Sequence, residues 1–194
     1  MDYDSLMAKE LAAARACRVC EASLPLGPRP IVQASANSRL LIIGQAPGSR
    51  VHATGIPWDD PSGARLCDWM GITSEVLHDA ERVAIVPMGL CYPGRQPSGG
   101  DAPPRPECAP LWHPRLLPLM PKLGLTLLVG SYALNAALGR GPMTPMVANW
   151  RALLPERVPL PHPSWRALLW ERKHPWFRDE LVPELRRRVA GLLT

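Results

Sequence analysis

Arg39-Leu-Leu-Ile-Ile-Gly44-Gln-Ala-Pro-Gly48 decides the fold. Its first half is an unbroken apolar run, as in a strand buried on both faces of a parallel sheet. Gly44 ends the run, and Gln45 to Pro61 reads as a long loop rich in Gly, Pro and Asp. Val83–Met88, Leu125–Val129 and the short Val158–Leu160 have the same apolar character. Helical patterns lie between these strands. Ser62 can cap a helix through Leu66, Trp69 and Met70. Further helices are expected near Pro114–Pro121, over Tyr132–Leu138 after Gly130-Ser131, and over Met146–Leu154. Tyr3–Ala16 reads as an amphipathic helix with Leu6, Leu11 and the alanines on one side. Pro175–Leu192 closes the chain, with Phe177, Leu181, Leu185 and Val189 four apart and Pro183 expected to kink or split it. Strands alternating with helices predict an α/β fold, a three-layer α/β/α sandwich around a central parallel sheet of about four strands. With no repeat or flexible linker, residues 1–194 read as one domain, preceded within it by an arm, residues 1–38.

Composition sets outer bounds. A chain of 194 residues with 46% hydrophobic and 20% charged residues is globular and long enough for one sizeable core. No apolar run approaches the roughly 20 residues of a membrane helix. The stretch from Met1 to Glu10 lacks the apolar segment of a signal peptide, so a cytoplasmic monomer with no membrane partner is expected. A net charge of +5 permits a polyanionic partner without demanding one. Five cysteines in such a chain point to metal or redox chemistry before disulfides.

In open parallel sheets ligands sit outside the carboxyl ends of the strands. Three proline-bearing loops leave those ends: Gln45 to Pro61, Cys91 to Glu107 and Pro161 to His174. The first carries Gly44-Gln-Ala-Pro-Gly48 and then Thr54-Gly-Ile-Pro-Trp-Asp-Asp-Pro-Ser-Gly63; the last carries Pro161-His-Pro-Ser-Trp-Arg166. A strand, a G-Q-x-P-G turn, a T-G-x-P-aromatic segment and a late H-P-S resemble the uracil-DNA glycosylase superfamily, over roughly Arg39 to Arg166. The resemblance implies a DNA repair enzyme that extrudes a damaged base and hydrolyses its bond to deoxyribose.

Breaking that bond leaves a cationic sugar and an anionic base. An aromatic platform, donors aimed at the base and a group that orients water are therefore required. By resemblance, Trp58 stacks on the base, backbone N–H groups around Gln45 bind a base carbonyl, and His162 donates to the same oxygen. Ala46, Gly48 and Met88 complete the implied base pocket, while Ser164, Trp165 and Arg166 belong to the loop that wedges into the DNA. Asp60 is the implied water-activating carboxylate, because Asp60-Pro-Ser-Gly63 matches the D-A-S-G string of the fifth family; Asp59 is an adjacent competitor. On the residues alone, Asp60 reads equally as a helix cap. Two departures matter. Ala46 stands where the best-known branch has an acid, and Pro87 stands where an asparagine amide usually reads uracil. Gly48 leaves room for bases larger than uracil. No lysine stands in the three motifs, so lyase chemistry lacks a nucleophile.

Cys17-Arg-Val-Cys20 is a C-x-x-C pair, and Cys91 and Cys108 bracket the second loop. Four thiolates suit a 4Fe–4S cluster or zinc on chemistry alone. The resemblance to the iron–sulfur branches, the fourth and fifth families, implies the cluster, tying the N-terminal arm to the site. Cys67, between Leu66 and Trp69, reads as a buried hydrophobe. Arg50, Arg65, Arg95, Arg105, Arg166, Arg172 and Lys173 lie on or near the site loops and could hold DNA phosphates. Arg186–Arg188 reads as a solvated helix end.

Overall fold

Four apolar strands pair side by side, all parallel, in the order β2-β1-β3-β4: β1 Leu40–Ile43, β2 Val83–Ile85, β3 Leu125–Val129 and β4 Arg157–Leu160. The structure is a computed structural model and describes residues 2–194; Met1, where the expected domain begins, lies outside them. Every residue of β1 and β2 is buried, so both faces of the sheet are covered and the fold is the expected three-layer α/β/α arrangement. The register sets Leu40 against both Val83 and Leu125, with Val129 opposite Leu160.

Among the described residues nine α-helices surround the sheet: α1 Tyr3–Arg15, α2 Ser49–Thr54, α3 Pro61–Met70, α4 Ser74–Leu77, α5 Cys108–Leu116, α6 Ser131–Leu138, α7 Met143–Ala148, α8 Arg166–Lys173 and α9 Val182–Leu193. Helix α9 packs on α3 and β1, α6 on β3, α7 on β4 and α1 on α5. Trp69 of α3 meets Phe177 edge-to-face at 4.9 Å, both fully buried, at the centre of the core.

Several boundaries differ from the sequence reading, each for a local reason. Met7, not Leu6, joins Leu11 and Ala14 on the buried side of α1. The first loop contains α2, a helix short enough to fit between Gly48 and Gly55. Asp60, rather than Ser62, caps α3: its Oδ1 accepts from the Gly63 N–H at 2.8 Å, and Pro61 takes the first turn, where no N–H is needed. β2 stops at Ile85, two residues short of the buried Pro87, which offers no ladder donor. α5 begins at Cys108 and spans Pro110 in its first turn, with Pro114 inside. The expected Met146–Leu154 helix is two pieces, α7 and a 3₁₀ turn at Trp150–Leu153. The third loop contains α8. Pro183 does split the closing helix: a π turn at Phe177–Leu181 precedes α9, which starts one residue before the proline.

The arm is anchored by hydrogen bonds of its own. Gln33 pairs antiparallel with Ile85, donating at 3.1 Å and accepting at 2.7 Å, and covers the free edge of β2. Its side-chain amide donates to the carbonyls of Leu77 and Val83 at 3.0 and 2.7 Å. No helix among the described residues is long and apolar enough to cross a membrane.

Candidate active site

The chain leaves β1 toward β2 on one side and returns to β3 on the other, so strand order reverses at β1. Outside the carboxyl ends at that switch point lies a cleft of about 730 Å³. Gly44–Gly48 after β1, Pro87 after β2 and His162–Arg166 after β4 line it, with Trp58 and Asp60 from the segment before α3. The Gly44 and Gln45 carbonyls accept from the N–H groups of Met88 and Gly89, each at 2.9 Å, so the first motif is held by the chain leaving β2. Among the described residues, the Gln45 and Ala46 N–H groups donate to no protein acceptor.

Trp58 is held in an unusual way. Its φ is +58°, the one positive value outside glycine among the described residues, in a region a bulky side chain rarely enters. Two glycines make the conformation possible. A Cβ at Gly63 would stand 1.8 Å from the Trp58 carbonyl oxygen, and one at Gly44 would stand 3.0 Å from the indole. The half-buried ring thus rests on the first motif, with the His162 ring 5.9 Å away and tilted by 33°.

His162 follows β4 and packs on Gly130, at the end of β3. Burial holds its imidazole below the ordinary histidine range, although the Asp60 charge acts in the opposite direction. That direction favours the neutral imidazole, which keeps one N–H to donate. The cleft brings in Asp60, whose second oxygen is not used by the cap. Asp59 turns away, 3.9 Å from Arg50. At the mouth, Trp165 is 66% exposed and the Arg166 guanidinium lies 5.3 Å from its ring centroid. Arg65 donates to the Ser164 carbonyl, so it braces this loop from α3. Arg186–Arg188 is likewise not simply solvated: Arg186 docks on Asp68 of α3, and Arg187 and Arg188 pair with Glu184.

Gln45, Ala46, Gly48, Trp58, Asp60, His162, Ser164, Trp165 and Arg166 all line the cleft, as the sequence motifs imply. Met88 does not. It packs against the core, because the backbone after Pro87 turns its N–H to Gly44 and its side chain inward. Pro87 lines the cleft, with its carbonyl taken by a 3.1 Å hydrogen bond from His113 Nε2. Asp101, Arg95 and Gln96 were not singled out as a group by the sequence, yet they form part of the wall. Arg95 and Asp101 pair antiparallel across a small hairpin, and the Gln45 amide donates to the Ala102 carbonyl at 3.1 Å, pinning that hairpin to the first motif.

Cys17, Cys20, Cys91 and Cys108 line a second, small cavity with Leu24, Leu90 and Trp112. The Leu90 N–H donates to Cys108 Sγ at 3.2 Å. As thiols, Cys91 and Cys108 are pushed up to about 11 and about 12, mainly by burial. Among the described residues no three His, Cys, Asp or Glu side chains converge as around a single ion. Cys67 is buried on α3, away from this group.

The cleft and all four strands fall within one family match. The model of the uracil DNA glycosylase superfamily matches residues 31–186, most of the chain. The superfamily's members are DNA glycosylases. With its strand-end motifs gathered on one cleft, this chain belongs to the uracil DNA glycosylase superfamily.

Proposed function

We propose that this protein is a monofunctional DNA glycosylase that hydrolyses the bond between deoxyribose and uracil or a related damaged base. The observation that carries the reading is the meeting of Trp58, Asp60 and His162 in one cleft at the switch point. A flipped base stacks on Trp58. The Gln45 and Ala46 N–H groups bind its carbonyl, and neutral His162 donates to the same oxygen as charge builds there. Asp60 faces the cationic sugar and orients water. Arg166 and Trp165, with Ser164, fill the gap in the duplex. DNA is the partner, and the chain acts as a monomer.

The four cysteines are proposed to hold a 4Fe–4S cluster. Four thiols on one cavity, an N–H···S bond and apolar walls suit it. Zinc, which four thiolates also suit, is the alternative occupant. Such a cluster would cross-link the arm to α5 through its bonds to the four thiolates. Cys17 and Cys20 hold it from the arm, Cys91 and Cys108 from the two ends of the second loop.

Pro87 favours one rival, a catalytically weak lesion-sensing protein, because the wall lacks a reading amide there. A single-turnover assay over oligonucleotides bearing different damaged bases separates the two. Base release from at least one lesion is expected; binding without release from all of them would establish the rival.

A further inference from the structure

The first motif carries no acid at Ala46, and the Asp60 carboxylate spends one oxygen on capping α3. The cleft nevertheless holds a second carboxylate. Asp101 lines the wall, with its Oδ2 3.5 Å from the position a Gly48 Cβ would occupy. Its placement is built rather than incidental. The hairpin turns through Gly99 and Gly100, both at positive φ, and closes with the Gln96 N–H donating to the Gly100 carbonyl at 3.0 Å. The Ala102 N–H donates to Gly94 at 2.8 Å, and the Gln45 amide fixes Ala102 from the motif side. The residue after Asp101 is thus tied at both its N–H and its carbonyl, which sets where the carboxylate can go.

We propose that Asp101 is a second catalytic carboxylate of the cleft and accepts the proton of the attacking water, while Asp60 faces the sugar. This rests on the glycosylase reading above. In the step, the water oxygen bonds to C1′ and the C1′–N bond breaks, its electron pair leaving on the base. The water proton passes to Asp101 and then through solvent to the departing base. One water is consumed, and a free base and a sugar hydroxyl result. Two charged groups act on Asp101, Arg95 across the hairpin and Asp60 at the start of α3, and the Asp101 charge in turn raises the Tyr92 phenol at the base of the loop. Loss of solvent raises its acid above the ordinary carboxylate range, Arg95 opposes this and Asp60 adds to it, a direction that suits a proton acceptor.

The test is single-turnover excision by the intact protein and by Asp101→Asn, Asp101→Glu and Asp60→Asn, over pH 4.5 to 8 (roughly, the span across which a raised carboxylate titrates). Asp101→Asn is isosteric and keeps the hairpin bonds, none of which uses the Asp101 carboxylate. Its rate should fall about 10²-fold with affinity for a non-cleavable lesion duplex within about threefold of wild type. The acid limb of the pH profile should vanish in Asp101→Asn and persist in Asp60→Asn, and Asp101→Glu should recover part of the rate. An Asp101→Asn rate within about threefold of wild type, or a rate loss matched by lost affinity, overturns the assignment. A wild-type protein that releases no base from any lesion overturns the glycosylase reading instead, and this assignment with it.

Discussion

The cleft and the cysteine cavity are neighbours joined by one stretch, Pro87–Cys91, and they treat their reactive groups in opposite ways. In the cleft, His162, Asp60 and Asp101 face open space, and the Gln45 and Ala46 N–H groups lack protein acceptors. In the cavity the sulfurs sit among leucine, proline and tryptophan; those of Cys91 and Cys108 are raised by burial, and Cys108 accepts from a backbone donor. Groups left without partners at an opening suit a ligand that arrives and leaves. Thiols closed in by apolar walls suit one that stays. The difference fits the proposed turnover in the first region and the proposed architectural role of the second, and it can be attacked from either side.

The largest effect should come from the cleft. His162→Ala should lower the single-turnover rate by about 10² to 10³, the scale of one lost donor to developing charge, with lesion binding nearly unchanged. Asp60→Asn should cost about 10² in rate yet leave stability intact, because asparagine caps as well as aspartate; Asp60→Ala should also lose about 1 kcal/mol in denaturant unfolding. Equal stability of the two would show that the cap contributes nothing. On the cavity side, Cys108→Ala should abolish iron, about four atoms per chain in the wild type, and lower the melting temperature. If the cavity is purely architectural, its residual excision per folded molecule should exceed that of His162→Ala. Anaerobically purified protein with stoichiometric zinc and no iron would remove the cluster from the comparison. At the rim, Arg166→Ala should weaken binding to a lesion duplex more than to an undamaged one, and both should weaken with salt. The smallest effect is on stability against pH. His113 and His162 are held below the ordinary histidine range by burial, so the unfolded chain takes up protons first. Stability should therefore be fully present above about pH 6.5 and fall as pH drops below it. His113→Gln should flatten that slope.

What the sequence makes legible follows the range of the interactions involved. Leu125–Val129 is readable to the residue because an apolar run between two glycines needs only local information. Gln45, Ala46, Gly48 and His162 meet at the cleft because each sits within a few residues of a strand end, whereas Trp58 and Asp60 reach it from the segment between α2 and α3. α8 escapes notice because Leu168 and Leu169 are exposed, so its pattern lacks a clean apolar face. α5 is misplaced because Pro110 and Pro114 look like breakers, whereas a first-turn proline is tolerated. Met88 carries no local sign of its inward turn, which depends on the bond to Gly44. Asp101 is the clearest case. A single aspartate in a glycine-rich loop has no pattern of its own, and its place in the wall comes from a hairpin closed at Arg95 and pinned by Gln45, 57 positions from Ala102.

Trp58 has a bearing on how this protein can be varied. A bulky residue at positive φ costs about 1–3 kcal/mol, and glycine or asparagine would adopt the same backbone more easily. Selection for heat resistance alone should therefore drift toward those residues at position 58, while selection for base release should hold the indole. The two regimes would part at this codon, and Gly63, pressed against the Trp58 carbonyl, would stay fixed wherever that backbone persists.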